Sequence, residues 1–234
     1  MRLMVYNTEH CFNEQTKQID FPAIATAIKS CSPDIVGLNE IRGKGTDPEY
    51  GPQTDILSEL TEMPYAYFAK AIDVKDHGPY GNALLSALPL ASVETIPVPD
   101  PIERLPGKRY YETRCLLKAT LENGLTVLVI HFGLNPDEQK NAVDTVLSNL
   151  PSEKCVLMGD FNLRPDNALL APIRARMKDA ADAFDAPKLS FPSHAPDRKI
   201  DYIFVTPDVE IVAADIPAVV VSDHLPHTVE IRIK

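Results

Sequence analysis

The stretch Cys155-Val156-Leu157-Met158-Gly159-Asp160-Phe161-Asn162 leads an apolar run directly into two polar side chains. The run Cys155–Met158 is short and apolar, which is typical of a buried strand. A Gly-Asp turn into the next segment would account for Gly159–Asn162 taken alone. Asp160 and Asn162 are two positions apart, however, and in an extended backbone such side chains point the same way. A carboxylate and an amide could then converge on one water molecule and one phosphoryl oxygen.

Two further polar side chains follow apolar runs near the N-terminus. Asn7 follows Leu3–Tyr6 and Glu40 follows Ile35–Leu38, and the amphipathic pattern of Ala23–Lys29 predicts a helix between the two strands. Taken singly, both residues could be solvated turn residues. If the strands are parallel, both side chains lie on one rim of the sheet. Because Mg²⁺ takes oxygen ligands and often only one or two carboxylates, Glu40 would suffice as principal ligand with Asn7 as an assisting amide.

The C-terminal third adds a carboxylate, a histidine and a potential partner for that histidine. Asp223 and His224 follow the apolar run 219–221, and a turn before Pro226 is the alternative interpretation. Histidine is the side chain best suited to proton transfer near neutral pH. Asp201 begins a strand and could orient His224 as an Asp–His pair. His131 closes the apolar run 125–130, where a lone histidine is more often structural than catalytic.

The remaining periodicity predicts a layered α/β architecture. Asn135 as N-cap, Pro136 at the first helical position and Glu138 three residues after the cap indicate a helix that ends before Pro151. Strands that succeed one another without intervening helices imply antiparallel pairing. We predict mixed sheets with helices on their outer faces. The other predicted helices are Thr54–Leu60 and Asn167–Met177, and the other predicted strands are Tyr65–Ala69, Ala83–Ala87, Thr113–Thr120, Leu125–Phe132, Ile200–Val205, Val209–Ala213, Ala218–Val221 and Thr228–Ile233.

Composition predicts one globular domain, 1–234, with 44% hydrophobic and 24% charged residues. No run approaches membrane-spanning length, and Asn7 and Glu9 interrupt the N-terminal apolar residues too early for a signal peptide. We therefore expect a cytoplasmic monomer with no membrane span. The four cysteines show no zinc-like spacing and are expected to be reduced thiols, at positions Cys11, Cys31, Cys115 and Cys155.

The ordered set of motifs resembles the endonuclease/exonuclease/phosphatase superfamily, the DNase I-like metal-dependent phosphoesterases. The resemblance runs from Asn7 to Pro226. Its motifs are Asn7, Asn39-Glu40, Tyr80-Gly81-Asn82-Ala83-Leu84-Leu85-Ser86, His131-Phe132-Gly133-Leu134, Gly159-Asp160-Phe161-Asn162, Lys199-Ile200-Asp201-Tyr202-Ile203 and Ser222-Asp223-His224-Leu225-Pro226. It implies a four-layer α/β/β/α sandwich and a Mg²⁺ or Mn²⁺ site at one sheet edge. Tyr6, where the family often has tryptophan, and Val129-Ile130, where it often has Asn-Thr, depart from the pattern.

The resemblance also implies a role for each matching position. Glu40 would be the main metal ligand, with Asn7 and Asp223 assisting it or holding a second metal. Asp160 would orient or deprotonate water, and His224, held by Asp201, would serve as a base or stabilise developing charge; which of the two takes the proton stays open. His131 and Asn162 would grip the nonbridging phosphoryl oxygens. Asn82 and Arg114 would be phosphate-side contacts.

Function therefore narrows to a hydrolytic phosphoesterase, with two alternatives of other classes. A binding module that lost the chemistry is disfavoured because every catalytic position of the family pattern is filled. A Ser or Cys hydrolase is disfavoured because the sequence contains neither a GxSxG elbow nor a cysteine in a nucleophile motif.

Among phosphoesterases, the substrate could be a small ester, a lipid headgroup, DNA or RNA. The net charge of −10 and the lack of a basic stripe favour a compact ester, although nucleic acid stays open. Specificity would depend on the loops Gly43–Gln53, Ala71–Tyr80 and Val98–Tyr110. The cationic residues expected near the rim are scattered among loops, at Arg42, Lys44, Lys108, Arg109, Arg114, Arg164, Arg198 and Lys199.

Overall fold

Two six-stranded β-sheets pack face to face at the centre of the molecule, in a computed structural model that describes residues 1–45, 47–104 and 110–233. The strands are β1 (Arg2–Asn7), β2 (Phe12–Asn13), β3 (Gln18–Ile19), β4 (Ile35–Arg42), β5 (Tyr65–Val74), β6 (Gly78–Ser86), β7 (Leu90–Pro97), β8 (Cys115–Leu121), β9 (Thr126–His131), β10 (Cys155–Asp160), β11 (Lys178–Asp179), β12 (Asp201–Val205), β13 (Val209–Asp215) and β14 (His227–Ile233). The α-helices are α1 (Phe21–Ser30), α2 (Gln53–Thr61), α3 (Pro136–Asn149) and α4 (Ala171–Arg174).

Each large sheet contains one parallel pair at its centre. The first sheet has the order β13-β14-β1-β4-β6-β5 and the second the order β11-β12-β10-β9-β8-β7. β1 pairs with β4 in parallel, and β9 pairs with β10 in parallel, whereas the other pairs are antiparallel. The carboxyl ends of parallel strands meet at one edge of a sheet, so each sheet carries its predicted site residues at the carboxyl edge of its parallel pair.

Three apolar clusters hold four layers together. The cluster between the sheets includes Val5, Val129 and Met158. Residues of α1 and α2, among them Ile28 and Leu57, pack on the outer face of the first sheet, and α3 packs on the outer face of the second. This arrangement confirms the predicted four-layer sandwich. Among the described residues, no helix is long and apolar enough to cross a membrane. The four cysteines are buried and unpaired.

Helix α3 begins as its sequence predicts. The backbone N–H of Asn135 donates to Glu138 Oε2 at 3.2 Å, and the reciprocal half of the capping box is also present. Pro136 occupies the first turn, where its missing N–H would have had no helical partner. The helix ends at Asn149, ahead of Pro151. The buried Val143 and Val146 then set the outer layer against the second sheet.

Three predictions of secondary structure were wrong. The edge strand β7 was not predicted, since it is largely exposed and has no apolar run. The segment 167–177 is not one helix: a 3₁₀ turn at Ala168–Leu170 precedes the four-residue α4, whose start contains Pro172. Residues 218–221 form no strand, because the carbonyl of Val221 accepts instead from the Glu14 N–H at 2.7 Å.

Candidate active site

Asp160 lies where β10 ends, between two other predicted catalytic residues of the second sheet. In the sheet register it is opposite His131 of β9 and Asp201 of β12. Gly159 permits this close alignment, since a Cβ built there would lie 1.7 Å from the carbonyl oxygen of Ile130. The predicted convergence therefore has a simple cause: β9 and β10 end, and the antiparallel β12 begins, at the same level of the sheet.

Two asparagines of the first sheet reach across to Asp160. Asn7 and Asn39 are paired in register on β1 and β4. Asn39 Oδ1 accepts from the backbone N–H of Asp160 at 2.8 Å, and Asn7 Nδ2 donates to Asp160 Oδ2 at 3.1 Å. The first sheet thus holds both the backbone of Asp160, through Asn39, and its carboxylate, through Asn7. The sequence pattern named Asn39 only as part of the Asn39-Glu40 motif and gave it no role. Its position directly after the apolar run Ile35–Leu38 was a usable signal.

Glu40 points into the site because β4 bulges there. The pairing of β4 with β6 shifts between Leu38 and Ile41, and Glu40 has a left-handed backbone, with φ of 59°. A bulge redirects a side chain that strict alternation would place elsewhere. Glu40 is therefore within β4, not past its end as the sequence suggested. Asn7 Nδ2 also donates to Glu40 Oε1 at 3.1 Å, so one amide joins Glu40 and Asp160.

Asn162 reaches the site by a turn. Its φ is 52°, and its backbone N–H donates to Asp160 Oδ1 at 2.9 Å. The expected extended backbone between Asp160 and Asn162 was wrong, but the turn still places both side chains beside His131. Asn162 Nδ2 lies 3.1 Å from the carbonyl oxygen of Phe132 and 3.2 Å from His131 Nε2.

His224 and Asp201 form a buried ion pair. The imidazole Nδ1 donates to Asp201 Oδ2 at 2.9 Å, and Nε2 lies 3.6 Å from Asp160 Oδ2. Burial by itself would lower the pKa of His224, but the carboxylates of Asp201 and Asp160 outweigh it and raise that pKa. Burial also raises the pKa of Asp160, and the positive charge of His224 offsets part of this rise. Phe191 packs against the imidazole, with ring centroids 4.6 Å apart.

His131 occupies the other side of Asp160 in the opposite charge state. Burial lowers its pKa well below the usual range, and the neighbouring Arg114 lowers it further. Arg114 Nη1 donates to His131 Nδ1 at 3.0 Å, so the ring proton belongs on Nε2, which lies 3.5 Å from Asp160 Oδ2. Asp160 thus lies between a neutral and a protonated imidazole.

The two residues predicted as phosphate-side contacts have other partners in the structure. Arg114 is ion-paired with Glu112 at 2.6 Å and contacts Tyr80 OH at 3.2 Å, although it still lines the cavity. Asn82 is buried and is not among the lining residues. Its Oδ1 accepts from Asn39 Nδ2 at 2.8 Å, and its Nδ2 donates to the Cys115 carbonyl. Asn82 therefore holds Asn39 instead of facing the cavity.

Three carboxylates gather on the first-sheet side of the site. The pKa of Asp223 is raised by burial and by Glu40, and that of Glu9 is raised to about 8 by burial and by Asp223. A divalent cation among these oxygens would relieve their repulsion, so the donor set fits a hard metal ion. Asn7 Oδ1 accepts from the Glu9 backbone N–H at 3.1 Å, which turns the Asn7 NH₂ toward the carboxylates. Glu9 was not among the predicted residues.

A second group could also hold a metal ion. One ligand atom each from Asp160, Asp201 and His224 lies within 4.8 Å of the others. The hydrogen bond between Asp201 and His224 accounts for much of this proximity.

These side chains surround a cavity of about 770 Å³. Seven of the predicted site residues line it: Glu40, Arg114, His131, Asp160, Asn162, Asp223 and His224. Asn7 and Asp201 lie behind this lining and contact it by hydrogen bonds. Of the cations expected at the rim, Arg42, Arg164 and Arg198 line the cavity, Lys199 lines a different one, and Lys108 and Arg109 lie outside the described residues.

A model of the Endonuclease/Exonuclease/phosphatase family matches residues 4–224 of this sequence. The chain belongs to this family. The family predicted from the sequence motifs is thereby confirmed, and the chain has the fold of a family of metal-dependent phosphoesterases.

Several relatives of this endonuclease/exonuclease/phosphatase protein cover its whole length. The uncharacterized protein YbhP of Escherichia coli is 23% identical, over 99% of this chain and 96% of that protein. An endonuclease/exonuclease/phosphatase structure from Beutenbergia cavernae has a TM-score of 0.81 and 23% identity, over 100% of this chain and 71% of that chain. A mannosyl-6-phosphatase structure from Bacteroides thetaiotaomicron has a TM-score of 0.72 and 15% identity, with 100% of both chains covered.

Proposed function

We propose that this protein is a divalent-metal-dependent hydrolase of a compact phosphate ester. The observation that carries the proposal is the position of Asp160, whose Oδ2 lies 3.5 Å from Nε2 of His131 and 3.6 Å from Nε2 of His224. The two imidazoles have their pKa values shifted in opposite directions. Paired titratable groups with separated pKa values are the arrangement by which a site assigns its acid and its base.

Asp160 and His224 would divide the proton transfers between them. Asp160, whose pKa is raised by burial, accepts the proton of the attacking water as its oxygen bonds to phosphorus. His224, held protonated by Asp201, donates its Nε2 proton to the departing ester oxygen as the phosphorus–oxygen bond breaks. Because His224 is cationic, we assign it the acid role and Asp160 the base role.

His131 and Asn162 would stabilise the charge that develops on the phosphoryl oxygens. Arg114 leaves His131 with its proton on Nε2, on the side of Asp160 and Asn162. Fixed donors of this kind act without reorganisation during the reaction. Mg²⁺ or Mn²⁺, held by Glu40 and Asp223, would supply Lewis-acid polarisation of a phosphoryl oxygen. Asn7 was predicted as an assisting ligand, but its NH₂ faces Glu40 and its Oδ1 accepts from the Glu9 N–H, so Asn7 would orient the Glu40 carboxylate instead.

Cavity size and charge support a compact substrate. The cavity of about 770 Å³ is of the size that encloses a small organic ligand. Its lining carries acidic as well as basic residues, whereas a duplex-binding surface needs a continuous basic stripe. The Bacteroides thetaiotaomicron mannosyl-6-phosphatase, which shares the fold, is by its name a phosphatase that acts on a mannosyl 6-phosphate group.

The test is hydrolysis of bis-p-nitrophenyl phosphate and p-nitrophenyl phosphate with Mg²⁺ or Mn²⁺, before and after chelation. We expect turnover that chelator abolishes and that Asp160→Asn reduces. Turnover that persists in verified metal-free protein would contradict the proposal, as would metal-dependent binding without any turnover. The substrate class is tested by comparing plasmid DNA with a panel of small esters across about 50 to 200 mM salt. Efficient plasmid nicking with a steep salt dependence, and no turnover of small esters, would indicate a nuclease instead.

A further inference from the structure

Arg42 is a buried cation in the cavity wall. The residue is only 7% exposed, and its Nε and Nη1 are buried with no hydrogen-bond partner among the described residues. Only its backbone is engaged nearby, because its N–H donates to Gln53 Oε1 at 2.9 Å. Burying a guanidinium without a partner is unfavourable, so the free protein lacks an interaction that this group is placed to make.

The other arginines of the cavity lining are compensated. Arg114 pairs with Glu112 at 2.6 Å, and Arg198 pairs with Asp197. Arg164 is exposed, so water solvates its charge. Within the part of the lining that the structure describes, Arg42 is therefore the arginine with neither a carboxylate at ion-pairing distance nor full solvation, and its charge acts on the Glu112 and Asp47 carboxylates only from farther away.

Aromatic contacts fix the position of this guanidinium, and Nη2 is the nitrogen that is not among its buried, unpartnered atoms. The Cζ atom lies 5.1 Å from the ring centroid of Tyr50 and 4.9 Å from that of Tyr80. Such contacts stabilise the cation through the ring faces but satisfy none of its N–H groups. A guanidinium donates in its own plane, with a geometry that matches two oxygens of a phosphate or a carboxylate.

The position of Arg42 in β4 relates it to Glu40. The two residues are two positions apart in β4, and the bulge at Glu40 leaves both side chains in the wall of one cavity. An oxyanion on Arg42 would then lie beside a phosphate held at Glu40 and Asp160. Glu40 and Arg42 both line the same cavity, so one small molecule can reach both.

We propose that Arg42 binds a second anionic group of the substrate, so that the preferred substrates are compact phosphate esters bearing a further phosphate or carboxylate. The position of the scissile phosphate in this inference rests on the proposed function. The identity of the second anion is left to the two arms of the test, since phosphate and carboxylate share the in-plane oxygen pair that a guanidinium recognises.

The test measures binding, and so does not depend on turnover. Calorimetric titrations with Mg²⁺ compare three non-hydrolysable ligands: propylphosphonate, propane-1,3-bisphosphonate and 3-phosphonopropionate. We expect at least one of the two ligands that carry a second acidic group to bind wild-type protein on the order of 10- to 100-fold more tightly than propylphosphonate, as charge-assisted hydrogen bonds imply. Arg42→Gln should abolish this preference and Arg42→Lys should restore part of it. The control Arg164→Gln removes a charge from the same cavity wall and should keep the preference.

Three outcomes would overturn the inference: no preference in wild-type protein, the same preference in Arg42→Gln, or an equal loss in Arg164→Gln. Failure of ester hydrolysis with the preference intact would reject the proposed function alone. If Arg42→Gln does not fold, phenylglyoxal modification of wild-type protein decides the question. Mass mapping should show Arg42 protected by the tighter-binding ligand that carries a second acidic group, and not by propylphosphonate. Equal modification of Arg42 with both ligands would overturn the inference.

Discussion

Replacing Asp201 by asparagine would remove the negative charge that holds His224 protonated. The two side chains are buried and their Oδ2 and Nδ1 atoms are 2.9 Å apart. Asparagine keeps the shape of the side chain but not its charge. Burial lowers the pKa of an imidazole, so in Asp201→Asn the carboxylates of Asp160 and Asp223 would still oppose that effect, but the largest opposing charge would be gone. We expect the pKa of His224 to fall substantially.

The expected magnitudes follow from this geometry. At 2.9 Å and an effective dielectric constant of about 20, the two charges attract by about 6 kcal/mol. Desolvation offsets part of this, and removing one partner of a buried pair destabilises proteins by about 3–5 kcal/mol. Loss of the protonated, correctly oriented imidazole should also lower kcat by on the order of 10² to 10⁴, as in other Asp–His pairs.

The pH dependence has a definite sign. Because the folded-state pKa of His224 is raised above its unfolded value, its contribution to stability is fully present below about pH 6.5 and is lost as the pH rises through the folded-state pKa. The difference in unfolding free energy between wild type and Asp201→Asn should thus be largest near pH 6 and smaller at about pH 9 or above. Urea denaturation of metal-free protein measures it, and NMR titration of His224 reports the pKa directly.

The matched control is Asp197→Asn, which removes an exposed carboxylate from the same segment, where it pairs with Arg198. It should leave the unfolding free energy almost unchanged, because exposed ion pairs contribute little to stability. A stability difference for Asp201→Asn that does not vary with pH, or an unchanged pKa of His224, would refute the assignment of His224 as a cation held by Asp201.

Three further predictions concern metal binding, proton transfer and tautomer control. Glu40→Gln should keep the thermal unfolding midpoint of metal-free protein within a few degrees but raise the Mg²⁺ concentration needed for half-maximal activity by about 10-fold or more, since it removes an anionic ligand; an unchanged Mg²⁺ requirement would argue against Glu40. Asp160→Asn and His224→Ala should each lower kcat by on the order of 10² to 10⁴, and the double variant should lose far less than the product of the two single losses. A loss equal to that product would show that the two residues act independently. Arg114→Met should lower kcat by about 10-fold or more, because His131 loses the donor that fixes its tautomer, and ¹⁵N NMR of the ring nitrogens should show a mixed tautomer; a single unchanged tautomer would contradict this reasoning.

The parts of the fold that depend on local chemistry were predictable from the sequence. The parallel pair β1 and β4 followed from two apolar runs separated by an amphipathic segment, and α3 followed from its capping box. The edge strand β7 was not, because partial exposure removes the hydrophobic signal on which periodicity depends. Segment 218–221 was wrongly predicted as a strand for the opposite reason. Two of its valines are partly buried against the apolar cluster of the first sheet, but its backbone bonds to a loop.

Site residues were predictable where strand ends carried them, and less so where irregular backbone or long-range packing decided. Asp160, His131 and Asp201 end or begin strands and converge through register. Glu40 depends on a bulge that no local pattern marks. Arg42 resembles a solvated loop charge in the sequence, and only its tertiary contacts with Tyr50 and Tyr80 show that it is buried.

The site lies across the boundary between the sheets, with Asn7 and Asn39 on one side and Asp160 on the other. Asp223 and His224 arrive from the segment that connects β13 to β14, and β14 pairs with β1 at the opposite end of the chain. A ribosome-bound chain that has not yet released β14 would therefore lack the imidazole that faces Asp201. Activity during refolding should consequently appear only after the two sheets have docked, because the site takes side chains from both.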